Sequence, residues 1–308
     1  MKWLRRPHIF KADGERPWWS HGALAPSPIL LSPDRIRVFV GAMDRAGISR
    51  IAYVDVAAAD PSRILAISEH PVLDLGRPGT FDDNGVFPAS TCRIGERIFL
   101  YYTGFQLVDK IRYTMFGGLA IGDAHGESFR RVSEAPVVDR ADEGLFFRGG
   151  PSILPFDGTY LAAYSAGSAW EDPGEGGKSR PTYRLFVSTS PDGICFPDKG
   201  TPVLSYAEGV EHALGRPQII HDGESYRMLF AVRTLDRNYV IGYADSADGM
   251  ERHRRDTVLD LPHGAPGAWD SNCLYYPFFL QAGPRNYIFH TGNDFTRTGF
   301  GFAEFAAW

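Results

Sequence analysis

Acids and histidines recur at matched places along this chain. Short strand-like segments run into Pro26, Pro88, Pro151, Pro217 and Pro277, and five residues before each proline stand His21, Asp83, Phe146, His212 and Asn272. One position earlier come Ser20, Asp82, Leu145, Glu211 and Ser271, and one earlier again Trp19, Phe81, Gly144, Val210 and Asp270. Acetal cleavage needs such acids: one carboxyl protonates the leaving oxygen while another activates water or attacks. Arg148 and Arg216, inside the same segments, are suited to carboxylates, phosphates or hydroxyls, and aromatic faces pack on sugar rings. Each member also has a plain reading as a turn or strand start. The shared register raises the group above any one of them.

The elements that must position these residues repeat with them. The five prolines are 62, 63, 66 and 60 residues apart, a period that in β-rich sequence signals a propeller. Second strands follow at 35–41, 97–104, 160–167, 226–232 and 287–292, and third strands at 49–54, 117–121, 183–187, 239–243 and 299–303. Two third strands run into Ser-x-Asp-Gly turns, where Asp-Gly supplies the positive φ of a tight hairpin. Outer strands are expected at Pro71-Val-Leu, Pro136-Val-Val, Pro202-Val-Leu and Thr257-Val-Leu. The last repeat has no fourth strand, so the N-terminal piece near Pro7–Phe10 is expected to pair with it and close the ring. The expected fold is therefore all-β: one domain over 1–308, a five-bladed β-propeller of four-stranded antiparallel blades.

Antiparallel neighbours place the start of strand one and the end of strand two on one face. That adds Asp44, Arg45, Phe105, Trp170, Arg233, Asn293 and Asp294, with Trp269 beside Asp270, to the candidate substrate-binding residues. The Gly- and Pro-rich loop Ala169–Pro181 lies on the same face and reads either as a lid or as a decoration.

The segment Gly79–Pro88, the run Tyr101-Tyr-Thr-Gly104, the Ser-x-Asp-Gly turns and Gly292-Asn-Asp resemble the five-bladed propeller glycosidases, glycoside hydrolase families 32, 43, 68, 117 and 130. The resemblance implies sugar substrates and acids on the first strands of successive blades. In family 43 these are Asp, Asp and Glu in blades one to three. Here blade two carries Asp82 and Asp83, blade one has His21, and blade three has Phe146, Phe147 and Arg148, with Glu143 slightly upstream. The chain reads as a divergent member without the usual blade-three acid, closer to glycosidase-like propellers of glycan assembly.

Composition narrows the classes. The net charge is −5 with no basic run, which argues against nucleic acid as a partner. Cys92, Cys195 and Cys273 fit no metal spacing. No apolar run follows the N-terminal charges and none reaches membrane-spanning length, so the expected compartment is the cytoplasm. The leading expectation is an enzyme that cleaves or transfers a glycosyl group on a small intracellular glycoside, sugar nucleotide or glycolipid head group. Asp83, with Asp82, is the expected base or stabiliser, Glu211 or Asp270 the proton donor, and His21 and His212 auxiliary groups. No cofactor is required. The alternatives are a non-catalytic sugar-binding propeller, or a divalent metal held in the channel by His21, Asp83 and His212.

Overall fold

The computed structural model describes residues 1–172, 179–236 and 238–307. Its elements are strands, apart from one 3-10 turn at Asp256–Val258. Their antiparallel pairings fall into five successive units, of which the middle three share one 12-stranded sheet through short parallel contacts. The first contains β2 (Gly22–Ser32), β3 (Arg35–Met43), β4 (Ser49–Ala57) and β5 (Asp60–Ile67). The second has β6 (Val86–Ile94), β7 (Arg97–Gln106), β8 (Thr114–Gly122) and β9 (Phe129–Arg131). The third has β10 (Phe147–Phe156), β11 (Thr159–Glu171), β12 (Arg180–Ser190) and β13 (Thr201–Leu204). The fourth has β14 (Glu211–His221), β15 (Tyr226–Thr234), β16 (Val240–Ser246) and β17 (His253–Arg254). The fifth has β18 (Tyr275–Ala282), β19 (Arg285–Thr291) and β20 (Phe300–Ala307), and its fourth strand is β1 (Lys2–Phe10), antiparallel to β20. Pro7 falls at a register break in β1, an edge position where a missing N–H costs no ladder bond.

Three expected outer strands are corrected. Residues 71–73 and 136–138 touch third strands only through isolated bridges, Ile51 to Leu73 and Gly117 to Val138, and 257–259 overlaps the 3-10 turn. The outer strands are instead β5, β9 and β17, formed directly after the third strands, while the Pro-Val-hydrophobic runs pin the links between units. Only Pro202–Leu204 lies in an outer strand.

The proline repeat has a physical meaning. Each first strand carries a register break beside its proline, at 24/27, 88/90, 149/152, 215/218 and 275/278. Ala25, Gly150, Arg216 and Tyr276, each immediately before its proline, adopt φ of 54°, 67°, 48° and 55°. These are β-bulges, which bend a strand and re-aim its groups. The freed amides are caught by the preceding unit: Gly150 N–H donates to Thr103 Oγ1, Arg216 N–H to Ser165 Oγ, and Ala25 N–H to Thr291 Oγ1 of the fifth unit.

Apolar cores lie between the units rather than within them. Five clusters join units one and two, two and three, three and four, four and five, and five and one. Burying both faces of a sheet explains the near-continuous apolar runs in strands such as Ile36–Val40.

Candidate functional site

The five bulges converge on Arg216. Its guanidinium donates to the carbonyls of Ala25 and Pro26, Pro88, and Tyr276 and Pro277, and to Ser27 Oγ, at 2.6–3.3 Å. A Cβ on Gly150 would sit 3.4 Å from the Arg216 Cα, so the third unit abuts it too. Burial lowers this guanidinium to about 9, and it remains charged at neutral pH. The expectation that Arg216 binds substrate is therefore corrected: every N–H direction of its fork is engaged by the fold. To one side of it lies a cavity of about 310 Å³, walled by all five first strands.

The matched acids form a second structural repeat. Asp82 is fully buried and accepts from Arg131 Nε at 2.7 Å, Tyr102 Oη and Thr80 Oγ1. Glu211 accepts from both terminal nitrogens of Arg254, at 2.6 and 2.9 Å, and from the Ala207 amide. Asp270, also buried, accepts from Arg5 through both carboxylate oxygens. In all three cases the arginine stands on the outermost strand of the same unit, β9, β17 or β1. Burial works to raise the Glu211 carboxyl, but Arg254 and the Ala207 amide hold it below its usual range, so the proton-donor role is corrected for Glu211. Arg148 and Glu143 form a comparable pair at 3.1 Å, shared with Tyr164, which leaves Arg148 inside the third unit.

Other candidates are likewise structural. Asp44 caps its own turn through the Ala46 and Ile48 amides and pairs with Arg50. Asn293 binds the amides of Asn272 and Cys273 and the Ala268 carbonyl. Trp269 stacks on the buried His290 at 5.0 Å. No group of three or more His, Cys, Asp or Glu side chains among the described residues could hold a metal ion, so His21, Asp83 and His212 do not form the expected metal set.

What remains is an aromatic mouth around one cation. Arg233, near the end of β15, has its guanidinium 5.5–5.9 Å from the rings of Tyr183, Tyr239 and Tyr276, and donates to Tyr276 Oη at 2.7 Å. Its Nε is buried without an acceptor among the described residues, and no described carboxylate pairs with it. Phe105, Tyr113, Trp170 and Phe146 form a chain of rings at 4.7, 5.0 and 5.4 Å on the side of units two and three, and Trp170 Nε1 is also buried with no partner among the described residues. Tyr275 packs on Tyr239 and Tyr276 and carries a third buried, unpartnered polar atom, its hydroxyl. Burial pushes the phenols of Tyr113, Tyr183 and Tyr275 above their usual range, so they stay protonated donors.

His212 lies buried beside this cation. Its Nδ1 is 3.2 Å from the Pro181 carbonyl, so Nδ1 carries the proton and Nε2 is the acceptor. Burial, then the Arg233 charge, lowers it to about 4, so at neutral pH it is uncharged. Asp83 is half-buried. Its Oδ2 accepts the Gly79 amide at 2.8 Å, and Oδ1 has no partner among the described residues. His21, half-buried, and the exposed Arg45, Asn272 and Asp294 complete the face. The central part of the expected lid, 173–178, lies outside the described residues.

The sequence pattern does not single out these five tyrosines as site residues. Tyr275 and Tyr276 stand inside the fifth proline segment itself, Tyr183 lies near the start of β12 and Tyr239 immediately before β16, and third-strand starts share the face of second-strand ends. That topology was the available signal.

No protein-family profile matches the chain. The all-β fold is that of glycoside hydrolases of known structure. A glycosyl hydrolase from Bacteroides ovatus superposes with a TM-score of 0.70 at 16% identity, covering 98% of this chain and 93% of that one. A structure from the family-130 mannoside phosphorylases, described as containing hydrolases of β-1,2 mannosidic linkages in Candida mannan, gives 0.69 at 16% identity with the same coverage. In sequence, the Mycobacterium tuberculosis protein described as "Uncharacterized protein Rv1502" is 31% identical over 305 residues, 98% of this chain and 99% of that protein. The chain belongs to the same family as this mycobacterial protein.

Proposed function

We propose that the protein is a single-domain, closed five-bladed propeller and a carbohydrate-active enzyme of glycoside hydrolase type, acting on a glycoside that carries an anionic group. Apolar clusters at every junction, the fifth-to-first included, support the ring. The observation that carries the function is Arg233: a cation without a carboxylate partner among the described residues, in a tyrosine cage, beside a neutral histidine, on a fold shared with glycosidases. An unpaired guanidinium in a low-dielectric mouth is stabilised by an anion brought by a ligand, through charge-assisted bonds. The tyrosine and tryptophan faces pack the sugar.

The roles follow from which groups are free. Asp83 is the carboxylate that assists departure or attack at the anomeric carbon. His212 Nε2, held as an acceptor by the Pro181 carbonyl, takes the proton of the attacking water or sugar hydroxyl as the new bond forms at the anomeric carbon, and the resulting imidazolium gives that proton to the leaving oxygen. His21 and Asn272 bind hydroxyls at the rim. Asp83→Asn and His212→Gln, assayed against a panel of anionic glycosides, test this. Turnover of the accepted glycoside should fall at least about 100-fold in each, with the thermal midpoint little changed. Full turnover in Asp83→Asn overturns the assignment.

A second reading, a sugar-binding propeller without catalysis, is favoured by the arginine clamps on Asp82, Glu211 and Asp270. Calorimetric binding of a glycoside without product formation would decide for it.

A further inference from the structure

Six exposed apolar side chains gather at one end of the fold. Leu107 and Val108 follow β7, Leu145 precedes β10, Val210 precedes β14, Leu235 follows β15 and Phe295 follows β19. All are at strand ends on the face that bears Arg233, distributed over units two to five. Leu107, Val210 and Phe295 are 59%, 62% and 52% exposed. The other large exposed apolar residues are Leu4 on β1, the adjacent Ile64 and Leu65 on β5, and Val132 beside β9. Isolated apolar residues are ordinary on a protein surface, whereas a collection around one mouth marks a contact site.

The rim is continuous with the cage. Phe295 stacks on Tyr275 at 6.4 Å, Tyr275 packs edge-on against Tyr239 at 5.6 Å, and the Tyr239 ring lies 5.5 Å from the Arg233 guanidinium. Val210 and Leu235 are joined by a backbone hydrogen bond of 2.9 Å, directly above the paired residues Ala213 and Arg233. A ligand fixed by an anionic group on Arg233 therefore has apolar surface leading outward from it on two sides. Polar substrates alone would leave that surface without a partner.

We propose that the substrate is an amphiphile, with its anionic glycosyl head in the Arg233 cage and an apolar aglycone lying across the rim of Leu107, Val108, Leu145, Val210, Leu235 and Phe295. This rests on the mouth being the substrate site, and deepens that reading by assigning the aglycone. Each methylene laid against such a surface gains affinity even when only half covered.

The test is a chain-length series of alkyl phosphates (ethyl, butyl, hexyl, octyl), kept below micelle formation and titrated calorimetrically into the full chain. Octyl phosphate should bind at least about tenfold tighter than ethyl phosphate. In Val210→Ser/Phe295→Ser the gain should disappear while ethyl phosphate binds as before. Arg233→Gln should weaken every member. A flat series in the wild type, with Arg233→Gln still weakening ethyl phosphate, overturns the aglycone assignment and leaves the cage standing. Equal binding by Arg233→Gln, or no binding of any member, removes the cage and the inference with it. If the rim variant instead turns a dimer into a monomer by light scattering, or abolishes sedimentation with phosphatidylcholine vesicles while the series stays flat, the rim serves a second copy or a membrane, and the proposal fails.

Discussion

Two arginines of the fourth unit, Arg216 and Arg233, occupy opposite chemical situations. Arg216 sits where the five bulged strands meet and has six acceptor contacts, nearly all backbone carbonyls. Arg233 sits at the mouth, with one phenol accepting and a buried Nε that has no partner among the described residues. One guanidinium completes the fold, the other is completed by something outside it. Residue type and proximity to the axis do not separate them; their acceptors do. The sharpest way to break the comparison is to remove both. Arg216→Met would strand several buried carbonyls, each worth about 1–3 kcal/mol unsatisfied, and should cost about 4–5 kcal/mol in chemical denaturation. Arg233→Gln removes an unpaired cation and should stay within about 1 kcal/mol. Comparable losses in the two variants would show that Arg233 is structural after all.

The next effect concerns the arginine clamps. Asp82→Asn leaves Arg131 without its partner in a buried setting, and should cost about 3 kcal/mol. The same applies to Asp270→Asn with Arg5. If either change leaves the denaturation midpoint untouched while abolishing turnover, the clamp is a catalytic acid.

How the sequence conceals this is instructive. The spacing of the five prolines was legible because a bulge at that place needs the same local residues in every unit. The register of Asp82, Glu211 and Asp270 was equally visible, but it reports a repeated ion pair. Their arginines lie 49, 43 and 265 residues away in the chain, the first two on outer strands that the sequence pattern misplaced and the third on the N-terminal strand. A pairing over such separations leaves no local pattern. The tyrosine cage was hidden differently. Tyr183, Tyr239 and Tyr276 come from three units, and aromatic residues at strand starts are so ordinary in β sequence that only their convergence distinguishes them.

The mouth and the interior respond alike to acid, each through one buried histidine. His212 and His290 are both lowered to about 4, His290 by burial above all, and in the unfolded chain each returns to about 6.5. Below pH 6.5 the unfolded state takes up these protons and the folded state does not until about pH 4, so stability falls on acidification through that window. The fully buried His290 should contribute roughly 2 kcal/mol of loss by pH 5. His290→Phe should flatten the dependence between pH 7 and 5 by that amount, with turnover at pH 7 retained. A slope equal to the wild type's would mean that His290 finds a proton partner in the core.

The smallest effect on stability should accompany the largest on chemistry, and adjacent aspartates expose it. Asp82 and Asp83 differ by one residue in the chain, yet one is closed in by an arginine, a tyrosine and a threonine while the other has an oxygen free. Asp83→Asn keeps an oxygen able to accept the Gly79 amide and removes only the charge, so its stability should shift by less than about 1 kcal/mol. If Asp83 is the working carboxylate, that variant loses turnover at an unchanged midpoint, while Asp82→Asn loses stability and retains activity in the fraction that stays folded. Measured side by side, reversed outcomes would exchange the two roles, and the arginine clamp would then be the device that positions the working carboxylate.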